Sequence, residues 1–302
     1  MKIPESTSQS ESGFAAPAKL LDGKLLSAQL KEQLKKELSD LRERFGHVPA
    51  LVNIMIGEPA SSCAYASSQK KVAGEIGIEY RLTSLPLEIS QRDLIAYIEK
   101  LNKDPHIHGI MLHKPVPKQI DYRLVANHVD PAKDLEGINV ENIGKMILGE
   151  TRIIPCTPAA VMEHIKSSGI NIRGKEAVVV GHSEIVGKPL SLLLLEQYAT
   201  VTVCHVATHE AGKLREHVSQ ADILIVAVGK PALIKGDWIK KGSVVIDVGI
   251  NRVGDRIEGD VEFESARRNA AYITPVPGGV GPVTVVMLMR NAIEAFKIQN
   301  RK

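Results

Sequence analysis

Aromatic residues are scarce in this 302-residue chain, with one Trp, six Tyr and four Phe making 4% of it. Proteins that bind single-stranded nucleic acid stack bases on rings, so the composition argues against that class. Cysteine is nearly as rare. Cys63, Cys156 and Cys204 lie far apart and form no C-x-x-C pair. That excludes a disulfide scaffold and implies free thiols in a reducing compartment. No apolar run approaches the ~20 residues a membrane span needs. The first 19 residues, MKIPESTSQSESGFAAPAK, are polar and serine-rich and lack the apolar centre of a secretion signal. They are expected to be a disordered extension, and the protein is expected to be cytoplasmic. No block of basic residues stands out within a net charge of +3, which favours anionic small ligands only weakly.

What is present is an ordinary globular composition, 44% hydrophobic and 24% charged, in a chain long enough for two cores. Leucines at 26, 30, 34, 38 and 41 give one apolar stripe and predict a helix over 24–44. A buried strand is expected at 51–56, a short strand near 79–85 and another at 109–113, with helices over 62–76 and 90–102 between them, the latter capped by Ser90. The rhythm restarts near residue 150. A helix over 156–169 is predicted, with Thr157 as cap and Pro158 at the first helical position. Strands at 177–181, 200–205, 223–229 and 244–249 follow, with an apolar helix at 187–197. Alternating strands and helices imply an α/β fold with parallel sheets. Two domains are expected: residues 20–150 completed by a C-terminal helix within 283–302, and a Rossmann-type unit over 151–282.

The sharpest local motif is VVVGHSEIVGKP, residues 178–189. A buried strand ends at Gly181, a tight loop follows, and a helix starts near Gly187. Glycines let the backbone approach a phosphate, and a helix N-terminus offers free N–H groups and partial positive charge. The spacing is G-x-S-x-x-x-G, with Ser183 at the middle position. An NAD site commonly places an acid at the end of the next strand. That strand ends Cys204-His205-Val206. His182 and His205 can sit near a 2′-phosphate, which points to NADP, or can be plain polar surface.

Several stretches together resemble the FolD family, bifunctional 5,10-methylenetetrahydrofolate dehydrogenase and 5,10-methenyltetrahydrofolate cyclohydrolase. They are GEPASSCAYASSQKK, GIMLHKPVP, DPAKDLEGIN, IPCTP, VVVGHSEIVGKP, VIDVGIN and YITPVPGGVGPVTVVML, in the family's order across nearly all of residues 20–298. The resemblance implies a homodimer with a tetrahydrofolate derivative between two domains and NADP, or alternatively NAD, in the second. It places Tyr65, Leu112, His113, Lys114, Glu136, Pro277, Gly278 and Gly279 beside the folate. On the cofactor it places Gly181, His182, Ser183, Gly187, His205, Val206, Ile250 and Thr284. The catalytic positions are Tyr65, Gln69, His113 and Glu136.

Those positions depart from the family pattern. Tyr65 is kept, but the lysine four residues on is Gln69, the strand-end glutamine is His113 and the following leucine is Lys114. The folate-binding aspartate is Glu136, the cofactor-loop arginine is His182, and the serine after Cys-His is Val206. Expelling hydride from the one-carbon bridge mainly requires positioning, worth ~7–11 kcal/mol. Adding water to the oxidised bridge requires a group that moves protons. Gln69 cannot titrate, and Lys70, about 100° around the helix, points elsewhere. His113 can replace the base, hydrogen-bond the folate, or be a neutral change in an inactive site. Strand alternation sends Lys114 to the opposite face, unless Pro115 bends that rule. Glu136 keeps a carboxylate for the pterin. His106 and His108 share a face, but two histidines without a third ligand predict no metal site. The expected function is therefore an NAD(P)-dependent dehydrogenase whose cyclohydrolase step is impaired or rebuilt around His113. The alternatives are a non-catalytic folate- or nucleotide-binding paralogue and an ordinary bifunctional enzyme.

Overall fold

Short runs of β-branched and aliphatic residues that end on glycine or proline form buried strands here, and the leucine-patterned segments between them form helices. The computed structural model describes residues 17–57 and 59–301. The chain opens with β1 (Lys19–Leu20), α1 (Gly23–Phe45), β2 (Ala50–Ile56), α2 (Ala60–Ile76), β3 (Glu79–Leu85) and α3 (Gln91–Lys103). It continues with β4 (Gly109–Leu112), α4 (Tyr122–Ala126) and α5 (Val140–Ile147). The second half runs α6 (Cys156–Ser167), β5 (Glu176–Val180), α7 (Gly187–Glu196), β6 (Thr200–Cys204), α8 (Val206–Glu210), α9 (Leu214–Gln220) and β7 (Ile223–Val226). After a 3₁₀ turn come β8 (Val244–Asp247), a hairpin of β9 (Asn251–Val253) and β10 (Arg256–Glu258), α10 (Phe263–Ala266), β11 (Tyr272–Ile273) and α11 (Val280–Gln299).

The N-terminal sheet has the order β3-β2-β4 and is parallel throughout. Its central strand, β2, is buried along its whole length, as a strand covered on both faces must be. The larger sheet has the order β1-β11-β8-β7-β5-β6, also all parallel. The α/β class and parallel sheets therefore match the expectation from sequence.

Two expectations are corrected. Most of the extension expected to be disordered lies outside the described residues, but its last three residues, 17–19, are placed. Ala18 is buried, and Lys19–Leu20 pair with Tyr272–Ile273 at the edge of the six-stranded sheet. Two residues of strand carry no detectable period, and only the partner strand 250 residues away makes them a strand. The chain thus enters the larger sheet before it builds the smaller one. The helix at the second restart begins at Cys156, with Pro155 at the cap and no side-chain cap bond, so Thr157 is not the cap.

The last helix, α11, packs against α1, α2 and α6. Asn291 in its middle donates to the Leu135 carbonyl at 2.9 Å and the Ile154 carbonyl at 2.7 Å, fixing it to the linker between the two halves. Phe296 is fully buried, with the rings of Phe45, His47 and His108 packed edge-on around it at 4.8–5.6 Å. Phe296→Ala should cost about 3–5 kcal/mol of stability, measured by denaturant unfolding. A loss below about 1 kcal/mol would show that this helix end contributes little.

Candidate active site

Position 69 lies in the N-terminal unit, on the face of α2 turned toward the sheet. Gln69 is fully buried, whereas Lys70 and Lys71 are exposed, as helix geometry requires. The Gln69 side chain belongs to a buried polar network. Its carbonyl accepts from the Asn53 amide at 2.5 Å and from the Tyr80 hydroxyl at 3.0 Å. Its amide donates to the Met111 sulfur at 3.4 Å. The Asn53 amide nitrogen also lies 2.7 Å from the Tyr80 oxygen and 2.8 Å from His113 Nε2. Most of these buried polar groups are hydrogen-bonded within the network, and the Asn53 carbonyl oxygen is left without a partner among the described residues.

His113 is part of the same network. It is buried, and its ring packs edge-on against Tyr65 with centroids 5.7 Å apart. Its Nε2 stands 2.8 Å from the Asn53 amide nitrogen, whose two protons are shared among three neighbours. Burial also pushes the imidazole below its usual value, so it is neutral and already hydrogen-bonded.

The cavity in front of this network is lined by other groups. It has a volume of about 120 Å³ and is walled by Tyr65, Met111, Lys114, Tyr122, Glu136, Ile138, Pro155, Cys156, Thr157, Ile185, Thr284 and Leu288. A larger cleft of about 490 Å³ adjoins it, sharing Lys114, Tyr122, Ile138 and Ile185. Neither Gln69 nor His113 lines either space. Lys114 lines both, against the expectation that it turns away. The strand ends at Leu112, so sheet alternation no longer governs residue 114. Its ammonium instead rests 3.8 Å from the centre of the Tyr122 ring, a cation–π contact.

Glu136 faces this cavity. It accepts a hydrogen bond from the Tyr122 hydroxyl at 2.9 Å. Burial pushes its carboxyl up to about 7, against the opposing pull of Tyr122 and Lys114. Burial likewise raises the Tyr65 and Tyr122 hydroxyls and the Cys156 thiol well above their usual values, so all three stay protonated near neutrality. Pro277, Gly278 and Gly279 form the turn that opens α11 and do not line the 120 Å³ cavity. Thr284, expected on the cofactor, lines the cavity with Glu136 instead.

The second site is built around the glycine loop. Gly181 has φ +119°, and a Cβ on Gly187 would sit 2.0 Å from the Gly181 carbonyl oxygen. Only glycines allow that approach, and it leaves the start of α7 open to a phosphate. Beside it lies a cavity of about 320 Å³ lined by Gly181, His182, Ser183, His205, Val206, His209 and Lys230, among others. The rings of His182 and His205 are 5.1 Å apart. Cavity, glycine approach and basic lining fit a phosphorylated dinucleotide. Ile250 is exposed and does not line this cavity. On the same loop, Glu184 and Ile185 face the large cleft while His182 and Ser183 face the dinucleotide cavity. One loop therefore forms the wall between the two sites.

His106 is exposed and His108 is buried, with Nδ1 accepting from the Ala50 amide at 3.1 Å. The two do not share a ligand-binding face. Sequence reasoning missed Asn53, Tyr122, His209 and Lys230. Only Asn53 carried a signal, as the one polar residue inside the apolar run LVNIMI.

The chain matches two family models. One is tetrahydrofolate dehydrogenase/cyclohydrolase, catalytic domain, over residues 21–136, and the other is tetrahydrofolate dehydrogenase/cyclohydrolase, NAD(P)-binding domain, over residues 155–300. It is 51% identical over 283 residues to the bifunctional protein FolD of Acetivibrio thermocellus, covering 93% of this chain and 98% of that protein. Among solved structures it resembles the bifunctional FolD enzyme of Campylobacter jejuni, with TM-score 0.89, 41% identity and coverage of 93% and 99%. It also resembles the Trypanosoma brucei FolD complexed with NADP cofactor and inhibitor, with TM-score 0.90, 38% identity and coverage of 95% and 100%.

Glu136 gives a pH test. A carboxyl whose folded pKa is raised holds its proton more tightly in the folded state. Its contribution to stability is therefore lost as pH rises from the ordinary carboxylate range through about 7, and levels off above that. Relative to Glu136→Gln, the wild-type melting temperature is expected to fall between about pH 5 and about pH 8. A difference that stays constant across that range would mean the carboxyl is not held in this way.

Proposed function

The chain belongs to the tetrahydrofolate dehydrogenase/cyclohydrolase family, and from that premise we propose that it oxidises the one-carbon bridge of 5,10-methylenetetrahydrofolate with NADP. The observation that carries this reading is the pair of adjoining sites sharing one wall, the 182–187 loop. On one side lies a largely apolar cleft that opens into the cavity holding the Glu136 carboxyl, and on the other a basic dinucleotide cavity. When bound, the nicotinamide cofactor supplies the hydride acceptor. The residues of this chain bind and align. Glu136 pairs with donor groups of the pterin, oriented by the Tyr122 hydroxyl. Tyr65 presents its ring to the cavity, held edge-on by His113. His182, Ser183, His205, His209 and Lys230 line the cavity that would hold the cofactor's phosphate-bearing ribose. Dehydrogenation mainly requires this alignment, so the exchange at position 69 leaves it intact. Gln69 and His113 are supports beneath the site, and neither is its proton carrier.

We place the protein in the cytoplasm as a homodimer. Among the described residues no helix is long and apolar enough to cross a membrane. Cys63, Cys156 and Cys204 are free, as in a reducing compartment. At the edge of the six-stranded sheet, next to β6, Leu195 and Tyr198 are 52% and 67% exposed, which supports self-association there. Sedimentation of the purified protein is expected to give a dimer mass, and a monomer at micromolar concentration would remove this assignment.

Purified protein should reduce NADP when given methylenetetrahydrofolate. Lys230→Ala should raise the KM for NADP several-fold more than that for NAD, because it removes a cation lining the cavity that would take the 2′-phosphate. Folate binding without turnover under either cofactor would replace the enzyme reading with that of a binding paralogue.

A further inference from the structure

The cavity of about 120 Å³ that holds Glu136 is too small for a whole tetrahydrofolate, since ligands of that size occupy pockets of roughly 300–1,000 Å³. The rest of the ligand must leave through the opening that Lys114, Tyr122, Ile138 and Ile185 share with the cleft of about 490 Å³. That cleft has two kinds of wall. Ile138, Val140, Ile143, Pro189 and Leu192 give it an apolar side that suits a p-aminobenzoyl ring. Lys114, Arg123 and Lys188 line it as cations, against the single carboxylate of Glu184 among the described lining residues. Glu184 cannot neutralise all three. It is bonded to Arg123 at 2.8 Å and lies 4.0 Å from the Lys188 ammonium. The Lys114 ammonium rests on the Tyr122 ring, 3.8 Å from its centre, and forms no ion pair among the described residues. The exchange of leucine for Lys114 therefore adds an uncompensated positive charge at the mouth of the inner cavity.

Resting on the folate reading above, we propose that this cleft is a carboxylate-binding subsite for the glutamate tail of the substrate, in which Lys114, Arg123 and Lys188 select folates carrying several γ-linked glutamates. The p-aminobenzoyl ring leads out of the inner cavity along the apolar wall, and the tail carboxylates follow it to the cations. Each further glutamate adds one negative charge, so attraction to the cleft grows with tail length. Arg123 comes from α4 of the first unit and Lys188 from α7 of the second, so the tail is held by both units. The Arg123 and Lys188 side chains are 70% and 60% exposed. They therefore lose little hydration on binding, and each contact adds at most about fivefold in affinity. The preference for longer tails is the product of several such contacts, and salt screens it.

The test measures, by calorimetry, binding of tetrahydrofolate mono-, tri- and pentaglutamate to the purified full-length protein. NADP binding is measured in parallel, for the wild type, Lys114→Leu, Lys188→Gln and the double variant, with thermal melting as the folding control. The wild type should bind the triglutamate at least about fivefold more tightly than the monoglutamate, and the advantage should shrink in about 0.5 M salt. Each single substitution should reduce that advantage, and the double variant should abolish it. Equal wild-type affinity for all tail lengths overturns the subsite and leaves the folate reading standing. An advantage that survives the double substitution also overturns it. A larger loss of NADP affinity than of triglutamate affinity in these variants assigns the cleft to the cofactor and overturns it too. A wild type that binds tetrahydrofolate in none of these forms removes the folate reading, and the subsite with it.

Discussion

Burial of α11 is the constraint on which both halves of this molecule depend. The helix is apolar on nearly every side, and twelve of its residues are buried, so it needs cover from more than one neighbour. It finds that cover between α1 and α2 of the first unit and α6 of the second. The one buried polar side chain along it, Asn291, satisfies two carbonyls, those of Leu135 and Ile154, at the linker. The first turns of the same helix place Thr284 and Leu288 in the 120 Å³ cavity. The helix that joins the two units therefore also sets one wall of the cleft between them.

Beneath that cleft, four polar side chains occupy a space that an apolar core would otherwise fill. Asn53, Gln69, Tyr80 and His113 come from β2, α2, β3 and the end of β4. A lysine at position 69 would place an ammonium in this region, and an amide can be buried there at far lower cost because it both donates and accepts. Glutamine at 69 and histidine at 113 are mutually consistent, since the same Asn53 amide nitrogen lies within bonding distance of both. The exchanges at the two positions therefore belong to one rearrangement of the floor.

The glycine loop has a comparable double use. Close contact between Gly181 and Gly187 opens the start of α7, and the residues between them face two different spaces. Arg123 bonds to Glu184 of this loop, tying it to the first unit. An exposed pair of this kind contributes at most about 1 kcal/mol, so it biases the position of the loop without locking it.

The amino-acid sequence by itself determined the α/β class, the strands closing on glycine, the dinucleotide loop and the family. All of these are written in local period, local turn chemistry or ordered motifs. It also indicated that Lys70 and Lys71 turn away from the site, because helix geometry follows from spacing alone. Which side chains reach the cleft was decided by tertiary structure. Gln69 and His113 occupy the positions of catalytic groups yet are drawn into a network by Asn53 and Tyr80, 11 to 60 residues away. Lys114 lies where the strand has ended, so alternation carried no information about it, and Tyr122, eight residues on, decides where it points. Lys19–Leu20 become a strand only through pairing with Tyr272–Ile273. The physical reason is the same in each case: periodicity records how a residue relates to its near neighbours, whereas burial and hydrogen-bond satisfaction depend on residues that only folding brings close.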